Sequence, residues 1–329
     1  MNPLEKLKYV DGGTRYERFI DYLKANDHYL ITAHIRADGD AIAAICAVRA
    51  ILDGLDRQSH CVIADVAADS KYSFLQEFAS ICTLSDPLPF EPHTALILDS
   101  PTLDRIGPET HPAYRCPVKI CVDHHLGASR FSSFDLIDPN ASSTCEILSR
   151  LLPDLGIPVT PALVDALYTG LVFDTGNFRF SNTTPAALTT ASSLVELGAN
   201  PEKTNTALFF KWSMVKVRAM AQVLQSLSLH AGRRIALTHL PAAFFGSHPH
   251  ADMELEGFSD LGVSVDGVKV AVFLKERVPG VFKVSLRAVE SYDVGSVARS
   301  FGGGGHRKAA GCTVEGIFSE VRDSVVSAV

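Results

Sequence analysis

Residues 28–55 read HYLITAHIRADGDAIAAICAVRAILDGL. The first seven, HYLITAH (28–34), form an apolar run with little polar alternation, which predicts a buried strand. DAIAAICAVRAILDGL (40–55) predicts a helix that Gly54 ends. The same strand character returns in SHCVIAD (59–65), TALILD (94–99) and VKICVD (118–123). Further helices are expected at about 142–152, 160–173 and 184–198. Near-continuous apolar strands separated by helices indicate a parallel sheet covered on both faces. The first half therefore reads as an α/β sandwich.

From Pro201 to His230 strand signals vanish, and TALFFKWSMVKVRAMAQVLQSL carries a long helical pattern, read as a connection between domains. After Gly232 the character shifts to RRIALTHL, KVAVFLKER and VFKVSLRAV, the last two meeting at Pro279-Gly280. That hairpin signal predicts a smaller mixed-sheet α/β domain. The expected division is 1–199, a helical linker over 200–231, and 232–329.

At 329 residues and 47% hydrophobic, the composition excludes disorder for most of the chain. No stretch approaches the roughly 18 uncharged apolar residues of a membrane helix. Met1 to Lys8 lacks the apolar core of a secretory signal, so a soluble, cytoplasmic protein is expected. The net charge of −7 argues against a coat for duplex DNA. Charge is segregated, however. Gly267 to Gly311 holds eight Lys or Arg against three acidic residues, so the acidic excess lies elsewhere. Seven scattered cysteines without a C-x-x-C pair indicate free thiols, not a disulfide framework or a zinc ribbon.

Ligands of open α/β sheets bind at the carboxyl ends of the strands. The first strand ends in His34, with Arg36, Asp38 and Asp40 close behind. The third ends in Asp99 and the fourth in Asp123-His124-His125, while ALYTGLVF delivers Asp174 in FDTGNF. Carboxylates gathered at one edge repel one another unless cations neutralise them. Asp and His without cysteine form a hard-to-borderline donor set that suits Mn²⁺, with Mg²⁺, Fe²⁺ or Co²⁺ as alternatives. The ligand count fits two ions sharing a carboxylate, the usual device for phosphoester hydrolysis.

A second constellation sits near the end. Gly302–Gly305 would expose backbone N–H groups and let a phosphate or base approach. His306, Arg307 and Lys308 follow at once, and Arg287 lies in VSLRAV. Arg287 offers a planar fork for phosphate. Less weight falls on Arg105, on Ser181-Asn182-Thr183, on Trp212, expected in a core or interface, and on SHPH (247–250) with Asp252, expected in an exposed loop.

HIRADGDAIAA, LILDS, VDHH, FDTGNF and GGGGHRKAAG, in this order, resemble the DHH-type phosphoesterases with a DHH-associated C-terminal domain. The resemblance is nearest to the short nano-RNases and pAp phosphatases. It implies that 1–199 is the metal-binding catalytic domain and 232–329 the substrate-binding one. It further implies that His34 and Asp38 ligate one metal, that Asp40, His124 and Asp174 ligate the other, and that Asp99 bridges them. Asp123 would orient His124 or the local turn, and His125 would act on the scissile phosphate. Gly303, Gly304, Gly305, His306, Arg307 and Arg287 would line the substrate site. Arg36-Ala37 and Ala43-Ala44 depart from the pattern, where Asn-Pro and Gly-Ser are frequent, at positions that should not ligate metal.

The resemblance thus implies a Mn²⁺-dependent oligoribonuclease and pAp phosphatase, with short single-stranded RNA or DNA and adenosine bisphosphate as partners. A homodimer and the absence of membrane association are also expected. The competing activities are cyclic or linear dinucleotide hydrolysis (c-di-AMP, pApA) and a RecJ-like single-strand exonuclease.

Overall fold

Five consecutive buried residues form β1 (Tyr29–Ala33). In the computed structural model, which describes residues 2–7, 13–125, 131–248, 255, 257–289 and 292–329, this strand lies inside a six-stranded sheet. Its companions are β2 (Ser59–Ile63), β3 (Ile81–Thr83), β4 (Thr94–Leu98), β5 (Val118–Asp123) and β6 (Phe134–Ile137). The order is β3-β2-β1-β4-β5-β6 and every pairing is parallel. The chain therefore leaves β1 towards one edge and returns to β4 on its other side. That reversal opens a crevice at the carboxyl ends of β1 and β4.

Helices cover the sheet: α1 (Pro3–Lys6), α2 (Gly13–Ala25), α3 (Gly39–Gly54), α4 (Thr144–Ser149), α5 (Leu152–Leu155), α6 (Pro161–Asp174), α7 (Pro185–Glu196) and α8 (Pro201–Asn205). Helix α3 is buried along most of its length, as its run of Ala, Ile and Val requires. It packs on α6, and the contact is close. A Cβ on Gly170 of α6 would lie 2.3 Å from both Asp40 Oδ1 and Cys145 Sγ, so only glycine fits there.

These elements belong to the first of two compact units, Met1–Lys211; the second is Trp212–Val329. The second unit has its own sheet, made by β7 (Ser228–His230), β8 (Ile235–Leu240), β9 (Val270–Val278), β10 (Val281–Ala288), β11 (Gly304–Gly305) and β12 (Ala309–Glu315). The order is β11-β12-β10-β9-β8-β7, with β8 and β9 parallel and the other pairs antiparallel. Val284, Leu286, Val294, Ala298, Val321 and Val325 pack between it and two helices, α11 (Val294–Ser300) and α12 (Phe318–Ala328). A second cluster joins Ala219 and Val223 of α9 (Met214–Gln225) to Phe244 and Phe245 of α10 (Ala242–Ser247), Phe258 and Phe273.

The mixed α/β architecture agrees with the sequence reading, and β9–β10 is the expected hairpin. Three local details differ. The strands β3 and β6, short and only partly buried at the sheet edges, were not foreseen, nor were β7, which lies in the stretch read as free of strand, β11 and β12. The helix expected over 142–152 is two pieces. Ser143 caps the first, accepting from the Glu146 amide, and Pro153 sits in the first turn of the second. The 201–230 stretch is not one helix. After α8 comes a π-helical turn over Thr206–Phe210, then an interruption where the Ser213 side chain accepts from the Lys216 amide and starts α9 afresh. The unit boundary lies at this interruption.

Candidate active site

The sheet register brings the chemistry together. Ala33 pairs with Leu98 and Leu98 with Val122, so the next residues, His34, Asp99 and Asp123, emerge side by side at one edge. His34 Nδ1 donates to the Ile35 carbonyl at 2.9 Å, which leaves Nε2 to face the crevice. That nitrogen lies 3.5 Å from Asp99 Oδ2 and 3.9 Å from Asp38 Oδ1. On the other side of Asp99, Oδ1 lies 3.5 Å from His124 Nε2, which is itself 3.0 Å from Asp174 Oδ2.

Two groups of potential metal ligands result: His34, Asp38 and Asp99, and Asp40, His124 and Asp174. A third grouping joins Asp99, His124 and His125. Asp99 thus stands between the two clusters, with one oxygen turned to each. Its backbone has φ +52°, in the left-handed region that a non-glycine residue occupies at a cost.

Supporting contacts fix each carboxylate. Asp38 caps α3, accepting from the amides of Asp40 and Ala41. Asp65 accepts from the amides of Arg36 and Ala37 and pins the loop between β1 and α3. Asp40, fully buried, accepts from the amides of Thr144 at 2.6 Å and Cys145 at 3.1 Å. Asp123 Oδ1 accepts from the amides of His124 and His125 and, at 2.8 Å, from His125 Nδ1–H. The Asn182 amide group donates to the carbonyls of Ser142 and Asp174.

The electrostatics state the same demand. Burial and the neighbouring Asp174 and Asp99 push Asp40 well above the usual carboxylate range. Burial, with Asp99 and Asp38, pushes Asp174 up to about 6. Burial would also raise Asp99, but His124 and His34 outweigh it and hold that carboxyl below its ordinary value. Burial would pull both imidazoles down. Asp38 and Asp99 instead push His34 up to about 10, and Asp174 and Asp99 push His124 up to about 11. Carboxylates gathered so closely call for positive charge, which divalent cations supply. The donors are oxygen and nitrogen only, since burial raises the Cys145 thiol and keeps it protonated. This set fits hard or borderline divalent ions.

His34, Asp38, Asp40, Asp99, His124, His125 and Asp174 all come together in this cluster, Asp123 adjoins it through His125, and Arg36 is exposed outside it. Arg105 lies beside it, exposed, its carbonyl accepting from the Ile35 amide. Thr144 was not foreseen. The capping box Ser143-Thr144-Cys145-Glu146 could have placed the start of α4, though not its neighbours in space.

The C-terminal constellation lies in the second unit. Arg287 of β10 pairs across the sheet with Ala309. Its Nε donates to Asp260 Oδ1 at 2.9 Å, so its fork is partly occupied by the protein itself. The glycines have a structural reason that the sequence reading did not include. A Cβ on Gly303 would lie 2.2 Å from the Gly311 carbonyl, and one on Gly305 2.6 Å from that of Ala309. The amides of Gly302, Gly303 and His306 are bonded to Arg299, Ala298 and Ala309. They are therefore not open to a ligand: the first two close the end of α11, and the third closes the return onto β12. Gly304, His306, Arg307 and Lys308 are exposed. Trp212 is 47% exposed, contrary to a core placement. His248 stacks on Phe244, while His250 and Asp252 lie outside the described residues.

Residues 28–171 match the DHH family, N-terminal domain, and residues 252–329 match the DHHA1 domain. The bifunctional oligoribonuclease and PAP phosphatase NrnA of Thermus thermophilus is 32% identical over 305 residues, covering 91% of this chain and 88% of that protein. The chain belongs to the DHH family of phosphoesterases. Its DHH match contains β1 to β6 and carries every residue of the cluster except Asp174, three residues past its end. The Bacillus subtilis protein of the same name is 25% identical over 292 residues, 88% of this chain and 90% of that one. A crystal structure of an exopolyphosphatase-related protein from Bacteroides fragilis superposes with a TM-score of 0.87 at 24% identity, covering 98% of this chain and 97% of that one. That likeness extends the shared fold over both units.

Proposed function

We propose that this DHH phosphoesterase hydrolyses short oligoribonucleotides and 3'-phosphoadenosine 5'-phosphate (pAp) with two divalent cations, Mn²⁺ foremost. The observation that carries the reading is Asp99, one oxygen of which faces His34 and the other His124. His34 and Asp38 would hold one ion, Asp40, His124 and Asp174 the other, and Asp99 both. When bound, such ions supply Lewis acidity to a phosphoryl oxygen and lower the pKa of water. The named function of the Thermus and Bacillus relatives supports the substrate class.

The chain's own residues do the rest. Asp123 anchors His125 through Nδ1, so Nε2 of this half-exposed ring is free to meet a phosphate oxygen. The Asp123 hydrogen bond, working against burial, raises the His125 pKa and favours the proton-donating form. In the second unit, Arg287, His306 and Arg307 would bind nucleotide, with Gly303–Gly305 shaping the backbone beside them.

The test is a rate comparison with Mn²⁺-loaded protein on pAp, pApA, a five-nucleotide RNA and cyclic di-AMP. The proposal expects turnover of pAp and the five-nucleotide RNA. Turnover of cyclic di-AMP or pApA alone would overturn it in favour of a dinucleotide phosphodiesterase.

A further inference from the structure

We propose that the Thr144 hydroxyl is a positioning group that sets the orientation of the Asp99 carboxylate between the two ligand clusters. The inference rests on the reading of Asp99 as the shared ligand. Thr144 opens α4 and is fully buried. Its Oγ1 donates to Asp99 Oδ1 at 3.1 Å while its amide donates to Asp40 Oδ2 at 2.6 Å. One residue therefore touches a carboxylate of each cluster.

The helix does not need this hydroxyl. Ser143 is the cap, and its own hydroxyl accepts from the Glu146 amide at 3.0 Å. Asp99 does need it. A carboxylate turns easily about its last bond, because such terminal torsions are broad. The groups that face its oxygens are the imidazoles of His34, His124 and His125, at 3.5 to 3.6 Å. His34 and His124, on turning their nitrogens to cations, lose that direct hold on Asp99, and His125 gives its Nδ1–H to Asp123 at 2.8 Å. The Thr144 hydroxyl, a neutral donor, keeps its contact in either case.

The test compares Thr144→Val, which removes the hydroxyl at nearly constant shape, with Thr144→Ser, which keeps it. Mn²⁺ affinity is read by equilibrium titration, and kcat and KM are read with pAp. Groups that orient metal ligands contribute about ten- to a hundredfold in metal affinity or activity. Thr144→Val should weaken Mn²⁺ binding at one or both sites by about tenfold or more and lower kcat by about ten- to a hundredfold. KM should stay within about threefold, and Thr144→Ser should match the wild type within about threefold throughout. Wild-type affinity and kcat in Thr144→Val would overturn the proposal, as would equal impairment in Thr144→Ser. Should Thr144→Val fail to fold, Thr144→Ala against Thr144→Ser makes the same comparison. Asp99→Ala separates the two levels: if it binds Mn²⁺ normally, the shared-ligand reading itself falls.

Discussion

His34 Nε2 and Asp99 Oδ2 lie 3.5 Å apart, although one follows β1 and the other follows β4. Two strands intervene in the chain between them, and neither intervenes in space. The reversal of strand order at β1/β4 is thus what builds the site, because it opens the edge where both side chains emerge.

Metal dependence follows from the donor set. Chelation should abolish hydrolysis of pAp, and Mn²⁺ should restore it better than Zn²⁺ or Ca²⁺, since no thiolate is present to favour zinc. Full activity after exhaustive chelation, with elemental analysis showing no residual metal, would contradict this.

Arg287→Ala should raise KM for nucleotides about ten- to a hundredfold, the worth of a charge-assisted phosphate contact. Its partner Asp260 is exposed, so the lost pair should cost at most about 1 kcal/mol of stability. Steady-state kinetics and Mn²⁺ content measured together check this. Loss of metal in Arg287→Ala would refute the assignment.

Gly170→Ala places a methyl group against Asp40 Oδ1 and Cys145 Sγ. Overpacking of this kind should destabilise the protein by about 1–3 kcal/mol and displace Asp40 from its cluster. Denaturant unfolding and Mn²⁺ titration of the variant should both show a loss. An unchanged midpoint and affinity would mean that α3 and α6 part easily.

His111 supplies a pH dependence away from the metal cluster. Its Nδ1 accepts from the Ala113 amide, its Nε2–H donates to Thr32 Oγ1, and burial pushes its pKa down to about 4. Protonation would remove the acceptor. The unfolded chain, titrating near 6.5, binds the proton more readily. Stability from this residue is therefore fully present above about pH 6.5 and is lost as pH falls towards 4, on the order of 3 kcal/mol in all. In His111→Asn that acid loss should be smaller by a similar amount in urea unfolding at pH 7.5 and 4.5. Parallel curves for the two proteins would reject the assignment.

Much of the site can be read in one dimension. His34, Asp99 and Asp123 each end an apolar run, and period alone places such residues at a sheet edge. Thr144 could not be read that way. Its role depends on α4 packing against the end of β4 and the start of α3, a tertiary fact. The glycine tract was legible as permissive backbone. That its first amides close the end of α11 while Gly304 and Gly305 pair with β12 depends on tertiary packing and a strand register no local pattern announces. The interruption at Lys211–Ser213 was hidden because flanking residues keep a helical period, while a single side-chain cap at Ser213 restarts the helix.

Length preference tests how the second unit contributes. The basic residues are few, and electrostatic attraction fades within about 8 Å at physiological salt. Efficiency should therefore peak at about two to five nucleotides, as the family resemblance implies, and fall for single strands above about twenty. End-labelled RNAs of graded length at fixed salt measure this. Rising efficiency out to long strands would favour a RecJ-like activity.

The most direct measurement is Mn²⁺ stoichiometry by equilibrium titration of the wild type and Asp99→Ala, with pAp hydrolysis followed in the same samples. A shared carboxylate predicts about two ions per chain in the wild type, at most one in Asp99→Ala, and hydrolysis reduced more than about a hundredfold. A single ion in the wild type, or two ions and full activity in Asp99→Ala, would contradict it.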